Sequence, residues 1–208
     1  MDTSDRQANG IRLMMSGQPT SRNSRAECEA GSHAKRPRRQ NAHPKIAIYP
    51  GTFDPFHNGH LEIIRRALGT FDHIVVAVGA NPEKEVLFTL EERLDMIANS
   101  IRGDTRIEYE AFEGLTVKYA EKRRASAIIR GLRAVSDFEY EFQLALMNRK
   151  LSRKIETFFL MTAGRYLYVS SRIIKVALFG GGSPEGLVPE YVLGVLKKKF
   201  PHLRDRSK

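Results

Sequence analysis

A pair of histidines in residues 51–60, GTFDPFHNGH, is the feature of this chain that most directly points to chemistry. We call this segment the histidine turn. His57 and His60 flank a glycine and follow the first apolar run of the chain. An imidazole at a helix start can donate a hydrogen bond to phosphate oxygens and, when charged, offset negative charge that builds during displacement. A single histidine there would more often be a surface or capping residue, but two around a glycine favour a phosphate-handling site.

The glycines of the histidine turn also suit an anion site. Gly51 and Gly59 have no side chain, so the backbone could approach a phosphate closely. A helix starting near Gly59 would direct free amides and a partial positive charge toward it. The spacing matches neither the GxxxxGK[ST] nor the GxGxxG phosphate loop. Zinc binding would need a third soft ligand, which the segment lacks, so we expect no metal ligand among these histidines.

Short apolar runs predict the strands that must position this turn. The predicted strands are 45–49, 73–78, 106–109, 127–129 and 157–161. Helical patterns occupy 61–68, 90–100, 115–124, 137–151, 171–178 and 189–200. Two helices are predicted to open with capping boxes, Thr89 with Glu92 and Ser136 with Glu139. Strands alternating with helices predict an α/β fold, a Rossmann-like parallel sheet flanked by helices, whose ligands bind beyond the carboxyl ends of the strands.

The net charge of +10 is concentrated at the two ends of the chain. Residues 1–44 hold eight Lys/Arg and four Asp/Glu, and residues 194–208 hold six and one, so residues 45–193 carry only +1. This distribution does not support the basic face that a nucleic-acid binder would need. We expect a disordered basic extension at 1–44, which lacks Phe and Tyr, one domain at 45–200 and a basic tail at 201–208.

Cysteine usage and hydropathy bear on the compartment. The single cysteine, Cys28, excludes an internal disulfide framework. No apolar run approaches the roughly 20 residues that span a bilayer, and the N-terminus lacks the apolar stretch of a secretory signal. We therefore expect a cytoplasmic protein with no membrane partner and no specific nucleic-acid partner.

Four blocks of the sequence resemble a known family. Residues 49–60 are similar to the HxGH signature of the nucleotidyltransferase superfamily, which small adenylyl- and cytidylyltransferases share. The blocks FTLEER at 88–93, IRGLR at 129–133 and DFEYEFQLALMN at 137–148 resemble phosphopantetheine adenylyltransferases in order and spacing. The resemblance covers about residues 45–200, and these later blocks are more specific than the HxGH signature.

The resemblance implies a reaction. AMP would pass from ATP to 4'-phosphopantetheine, with Mg²⁺, giving dephospho-coenzyme A and pyrophosphate in coenzyme A biosynthesis. The acceptor phosphate would attack the α-phosphorus in line without a covalent enzyme intermediate, so the protein would mainly position two anions and stabilise their charge. The family also implies a homo-oligomer, typically a hexamer, and feedback inhibition by coenzyme A.

The resemblance also implies site residues at the matching positions. The catalytic residue would be His60, as a stabiliser of the transition state. Contacts to the acceptor substrate would come from Thr52, Lys84, Thr116 and Arg130. Contacts to ATP would come from Thr52, Phe53 (through its backbone), His60, Gly131, Leu132, Arg133, Glu141, Val169, Ser170, Ser171 and Arg172.

The last block departs from the family pattern. Tyr166 stands where the family usually has tryptophan, and Arg172 replaces a third serine after Ser170 and Ser171. Hydroxyls at a helix start could still bind the β- and γ-phosphates, while the guanidinium could either contact a phosphate or point into solvent. The glycine run at 180–182 is expected to be a flexible linker.

Two other functions stay open at the level of sequence. The HxGH turn also serves adenylyl- and cytidylyltransferases that use nicotinate mononucleotide or a phosphorylated alcohol as acceptor. The other possibility is an RNA-binding module that uses its basic ends and whose nucleotide fold is inactive.

Overall fold

The computed structural model describes residues 44–80, 85–133 and 135–203. Nearly all of the predicted N-terminal extension, residues 1–43, lies outside these ranges. The predicted substrate contact Lys84 and residues 204–208 of the predicted tail also lie outside them. The folded body continues past the predicted domain end at residue 200, because Leu203 is buried in the core at the end of a 3-10 turn, Pro201–Leu203.

A five-stranded, fully parallel sheet forms the centre of the described chain. The strands are β1 (Ile46–Gly51), β2 (His73–Gly79), β3 (Ile107–Phe112), β4 (Ala127–Leu132) and β5 (Glu156–Met161). Their order across the sheet is β3-β2-β1-β4-β5. In the central strand β1, Ile48 lies beside Val75 of β2 on one side and Ile128 of β4 on the other. The predicted α/β architecture with a Rossmann-like parallel sheet is therefore confirmed.

Helices connect and cover the strands. They are α1 (Asn58–Ala67), α2 (Leu90–Ser100), α3 (Thr116–Lys122), α4 (Val135–Leu151), α5 (Ser171–Phe179) and α6 (Glu190–Lys199). The predicted capping box of α2 is present, with Thr89 and Glu92 bonded reciprocally. The predicted cap at Ser136 is wrong, because α4 already begins at Val135 and Ser136 lies inside its first turn.

The hydrophobic core lies on both faces of the sheet because side chains alternate along each strand. On one face, Tyr49 and Val76 belong to a large cluster that α1, α2, α5 and α6 complete. On the other face, Ile48 and Val75 pack with Val117 of α3. The central strands are thus buried on both faces, as their continuous apolar sequences predict. The edge strands β3 and β5 are only partly buried.

The direction of strand order reverses between β1 and β4. From β1 the chain proceeds outward through β2 to β3, and it then returns to the other side of β1 to form β4 and β5. Such a reversal leaves a crevice at the carboxyl ends of the two strands, where this class of sheet binds ligands. The histidine turn follows β1 and therefore lies at this crevice. No helix in the described part of the chain is long and apolar enough to cross a membrane.

Candidate active site

A cleft of about 1320 Å³ opens at the carboxyl ends of the strands. It is larger than the roughly 300–1,000 Å³ of a typical small-molecule site, so it has room for two ligands side by side. Most of the predicted site residues line it: Thr52, Phe53, His60, Thr116, Arg130, Gly131, Arg133, Glu141, Ser170, Ser171 and Arg172. The fold therefore brings together residues that are up to 120 positions apart in the sequence.

Two residues that were predicted to contact ATP, Val169 and Leu132, do not line the cleft. Val169 is fully buried, and its carbonyl accepts a hydrogen bond from Nη1 of Arg133 at 3.2 Å. Leu132, the last residue of β4, does not line the cleft either. A contact from these two residues to a ligand would have to come from backbone atoms. Val169 instead positions a cleft residue, since it holds the guanidinium of Arg133.

The two histidines of the turn cap α1 by bonding to each other's backbone. His57 is the N-cap residue, and its Nδ1 accepts from the backbone N–H of His60 at 3.3 Å. In return, Nδ1 of His60 accepts from the backbone N–H of His57 at 3.2 Å. The two imidazoles stack with ring centroids 3.5 Å apart. This is a capping box built from imidazoles, where such boxes usually use a hydroxyl and a carboxylate.

This arrangement fixes the protonation state of the catalytic candidate. Burial lowers the pKa of His60 well below its usual value, and the charges of His57 and Arg133 lower it further. Burial, followed by the charge of Arg133, lowers the pKa of His57 to about 3. Because Nδ1 of each ring accepts a hydrogen bond, the single proton of the neutral ring lies on Nε2. His60 is therefore a neutral imidazole with an Nε2–H that can donate, and of the two possibilities that the sequence left open, the charged form is not the one that this burial favours.

Both glycines of the turn make room for side chains of the turn itself. A Cβ on Gly51 would come within 2.7 Å of the Phe53 ring, and a Cβ on Gly59 would come within 3.0 Å of the His57 ring. The Phe53 ring in turn packs edge-on against His60, with centroids 4.9 Å apart. These close contacts within the turn are a second reason for glycine at both positions, beside the predicted close approach of a phosphate.

Asp54 anchors the histidine turn to two other segments. This carboxylate is 2% exposed and accepts hydrogen bonds from the backbone amides of Leu87 and Phe88, at 2.8 to 3.0 Å. It also pairs with Nζ of Lys175 on α5 at 3.0 Å. No role was predicted for Asp54 from the sequence. An acid between Phe53 and a proline, in so apolar a turn, was the available signal that it is buried and paired.

Arginines supply the positive charge of the cleft wall. Arg130, on β4, forms a bidentate pair with Glu141 of α4, with Nη2 2.6 Å from Oε1. Its Nη1 also donates to the carbonyl of Pro50 at 3.4 Å. Arg133 lies near enough to both histidines for its charge to lower their pKa values. Both arginines line the cleft.

The serines at the start of α5 differ in what their hydroxyls can do. Oγ of Ser170 caps the helix by accepting from the backbone amide of Ile173 at 3.1 Å, which leaves its O–H able to donate. Oγ of Ser171 donates to the carbonyl of Pro55 at 2.9 Å, so its proton is already used. Arg172 lines the cleft from an exposed position. Ser170 is thus better placed than Ser171 to donate to a ligand.

The site combines a neutral imidazole donor, arginines on one wall and a helix start on another. Such a set binds anions and stabilises charge that builds on a phosphate. In the described ranges, no group of three or more His, Cys, Asp and Glu side chains could hold a metal ion. Together with the parallel sheet and its crevice, these features define an α/β protein of the Rossmann-like class with a candidate anion-binding cleft.

Comparison with known proteins places the chain within this class. Residues 48–177 match the family model described as cytidylyltransferase-like. The phosphopantetheine adenylyltransferase of Desulfosudis oleivorans is 52% identical over 164 residues, which cover 79% of this chain and 98% of that protein. The enzyme of the same name from Oleidesulfovibrio alaskensis is 57% identical over 156 residues, 75% of this chain and 92% of that protein. The chain belongs to the phosphopantetheine adenylyltransferases, within the cytidylyltransferase-like family.

Proposed function

We propose that this chain transfers AMP from ATP to 4'-phosphopantetheine, giving dephospho-coenzyme A and pyrophosphate in coenzyme A biosynthesis. The observation that carries the proposal is the match along nearly the whole length of relatives with this name, at 52% and 57% identity. The family match does not favour the alternative acceptors or the RNA-binding module. The cleft agrees with the reaction, because it has room for two phosphate-bearing ligands and a donor between its walls.

The chemistry requires one bond to form and one to break at the α-phosphorus. An oxygen of the acceptor phosphate attacks, and the bridging oxygen leaves with its electron pair as part of pyrophosphate. Negative charge on the non-bridging oxygens must be stabilised as this occurs. In our proposal, Nε2–H of neutral His60 donates a hydrogen bond there, and its capping bonds hold the ring in place beforehand.

The acceptor side of the cleft is proposed to include Thr52, Thr116 and Arg130. Arg130 would hold the acceptor phosphate, since a guanidinium binds a phosphate in a forked geometry. Its pair with Glu141 keeps the guanidinium oriented and only partly exposed before the ligand arrives. Lys84 is proposed for the same phosphate from the resemblance alone.

The ATP side is proposed to run from the end of β4 to the start of α5. Contacts to adenine and to the ribose triphosphate are assigned to Phe53 through its backbone, Gly131, Arg133 and Glu141. Leu132 and Val169 are proposed to contribute backbone atoms only. The β- and γ-phosphates would lie at Ser170, Ser171 and Arg172, where the N-terminal end of α5 supplies a partial positive charge.

Magnesium is proposed to enter with the nucleotide. Mg²⁺ commonly keeps several water molecules and binds through substrate phosphates with one or two carboxylates. Glu113 lines the cleft and would supply such a carboxylate. The ion would reduce repulsion between the two polyanions.

The remaining expectations of the resemblance are proposals as well. We propose a cytoplasmic enzyme, inhibited by coenzyme A, that assembles as a homo-oligomer, with a hexamer as the specific form. Exposed apolar side chains on α4 support assembly, because Tyr140, Leu146 and Met147 are each more than half exposed. Large apolar side chains left exposed in this way are commonly covered at an interface. Light scattering coupled to size-exclusion chromatography measures the assembled mass directly.

An acceptor assay tests the proposed function. The full chain is incubated with ATP, Mg²⁺ and one acceptor at a time, and pyrophosphate release is measured. We expect turnover with 4'-phosphopantetheine and none with nicotinate mononucleotide or a phosphorylated alcohol. Turnover with nicotinate mononucleotide and none with phosphopantetheine would overturn the assignment.

Removal of residues 1–44 tests the RNA-binding alternative. We expect the shortened chain to release pyrophosphate at the same rate as the full chain. A tight, salt-sensitive interaction with RNA that disappears with these residues would favour the binding module instead.

A further inference from the structure

Arg93 is a buried cation in the wall beneath the cleft. It belongs to α2 and is 4% exposed, although arginines are almost never fully buried unless they are paired. Its Nη1 donates to the carbonyl of Thr52 at 2.9 Å and to the carbonyl of Gly79 at 3.3 Å. Its Nε donates to the carbonyl of Thr89 at 3.3 Å. One guanidinium therefore ties together the histidine turn, the end of β2 and the start of α2.

The hydrogen-bond acceptors of Arg93 are neutral carbonyls. Asp54 is close enough for its charge to raise the pKa of Arg93, against the lowering caused by burial. That carboxylate, however, makes its own bonds to Leu87, Phe88 and Lys175. A guanidinium that bonds to carbonyls does not neutralise a partner. It fixes the direction in which those peptide groups point.

The orientation of one of these peptides matters for the cleft. In a trans peptide the C=O and the N–H point in opposite directions, so a Thr52 carbonyl directed at Arg93 turns the Phe53 N–H away from Arg93. Thr52 and Phe53 both line the cleft. Among the described residues the Phe53 amide has no hydrogen-bond acceptor. The amide is therefore available to donate, and we infer that its acceptor lies in the cleft that Phe53 lines.

The conformation of this peptide needs support from its surroundings. Phe53 has a φ of 53°, in the left-handed region that side-chain-bearing residues rarely adopt. Such a conformation persists only where neighbouring contacts impose it, and it is found preferentially at functional sites. Packing of the Phe53 ring against Tyr49 and His60 holds one side of the residue. The bond from Arg93 holds the peptide on the other side.

We propose that Arg93 is a positioning residue of the nucleotide site, which holds the Thr52–Phe53 peptide so that the Phe53 amide donates to a phosphate of ATP. This role rests on the proposed function for its ligand. Arg93 does not itself touch substrate, and it acts through the peptide that it orients. Its place on α2 is consistent, since Arg93 lies on the same stripe as the fully buried Met96 and Ile97, three and four residues later.

Two substitutions separate positioning from packing. Arg93→Met keeps the length and removes the donors, while Arg93→Lys keeps a cation that cannot reach two carbonyls with a planar fork. The matched control is Ile155→Ala. Ile155 is 4% exposed and precedes β5 at the amino ends of the strands, the end of the sheet away from the cleft. Its replacement by alanine should therefore destabilise the fold without changing a residue of the site.

The measurements are the thermal midpoint, the Kd of ATP by calorimetry without acceptor, and kcat from pyrophosphate release. For Arg93→Met we expect weaker ATP binding by about 10-fold and a kcat lower by about 10²-fold, the scale of one lost preorganised donor. Arg93→Lys should fall between this variant and the wild type. Ile155→Ala should lower the midpoint comparably while Kd and kcat stay within about twofold.

A purely structural role would give a different result. If Arg93→Met and Ile155→Ala lower the midpoint alike and neither changes Kd or kcat by more than about twofold, the positioning role is wrong. Should Arg93→Met not fold, the Kd and kcat of Arg93→Lys decide, together with hydrogen exchange of the Phe53 amide in the wild type. We expect ATP to slow hydrogen exchange of the Phe53 amide in the wild type, and an amide that ATP leaves unprotected would overturn the proposal.

Failure of the acceptor assignment would be visible separately. In that case the wild type would not turn over phosphopantetheine, but ATP binding and protection of the Phe53 amide would still be measurable. The Arg93 role can therefore stand or fall independently of the acceptor.

Discussion

The histidine turn and Arg172, on the first turn of α5, face the same cleft, but they are held very differently. In the histidine turn, backbone and side chains bond to four other parts of the chain, through Thr52, Asp54, Pro55 and Asn58. At the start of α5, Arg172 is exposed. A turn held by many bonds keeps its side chains in place, whereas an exposed residue can differ from the family pattern, as Arg172 does from the usual serine. We call the histidine turn the rigid end of the cleft and Arg172 its exposed end.

The largest effect is expected from removing the donor at the rigid end. His60→Ala should lower kcat by about 10² to 10³-fold, because one preorganised transition-state donor is lost, with a smaller effect on ATP affinity. Pyrophosphate release and calorimetry measure the two quantities. Equal losses in binding and in rate would show that His60 stabilises the ground state as much as the transition state.

The next effect tests the anchor of the rigid end. Asp54→Ala should lower the free energy of unfolding by about 3 kcal/mol, because two backbone amides and Lys175 lose a buried partner. Denaturant unfolding measures it. Asp104→Ala is the control, since Asp104 pairs with Arg106 at the surface and should matter much less. A similar loss in both variants would contradict the anchoring role.

Acid should weaken the rigid end in a defined pH window. His57 has a pKa of about 3 in the fold and about 6.5 unfolded, so only the unfolded chain gains this proton between these values. The contribution to stability is complete above about pH 6.5 and declines as the pH falls toward 3. At pH 5 we expect a loss of about 2 kcal/mol from His57, measured by denaturant unfolding across pH.

A capping residue that does not titrate provides the comparison. His57→Asn replaces the capping Nδ1 by an oxygen that does not titrate, so it should reduce the decline in stability between pH 6.5 and 5. The decline that remains is expected from His60, whose pKa burial also lowers. His73→Gln, at the amino end of β2, should leave the decline unchanged. An unchanged slope in His57→Asn would show that the decline has another source.

The smallest effect is expected at the exposed end. Arg172→Ala should raise the KM for ATP by about 3- to 10-fold and leave kcat within about twofold, because a solvent-exposed charge pairs weakly with a phosphate. Arg172→Ser, which restores the residue usual in the family, should lie closer to the wild type. A kcat loss as large as that of His60→Ala would erase the distinction between the two ends.

Local patterns in the sequence predicted most of the fold. The bounds of α2 were predicted without error, and its Thr89–Glu92 box is present, because capping depends on residues three apart. The cap predicted at Ser136 fails, because α4 begins at Val135, two residues before the predicted start at 137. The glycines at 180–182 form a turn that caps α5, with the amide of Gly182 bonded to Ala177, and do not form the loose linker predicted.

The site was less predictable, because its support depends on residues far apart in sequence. Motifs indicated His60, Arg130 and Arg133, all of which line the cleft. They did not indicate that His60 would be neutral, since that depends on burial and on a reciprocal bond with His57. Contacts of Asp54 with Lys175 span 121 residues, and no local pattern encodes such a distance.

The bonds that secure the histidine turn also bear on how the chain reaches its native state. The side chain of Asn58 donates to the carbonyl of Gly186, 128 residues later, and the backbone amide of Asn58 donates to Leu187. Contacts of such sequence separation form late, because a long loop must close before they can be made. During synthesis, the sheet can begin to assemble while the turn still lacks its partners. The histidine turn is therefore completed only after residues 186 and 187 have been made.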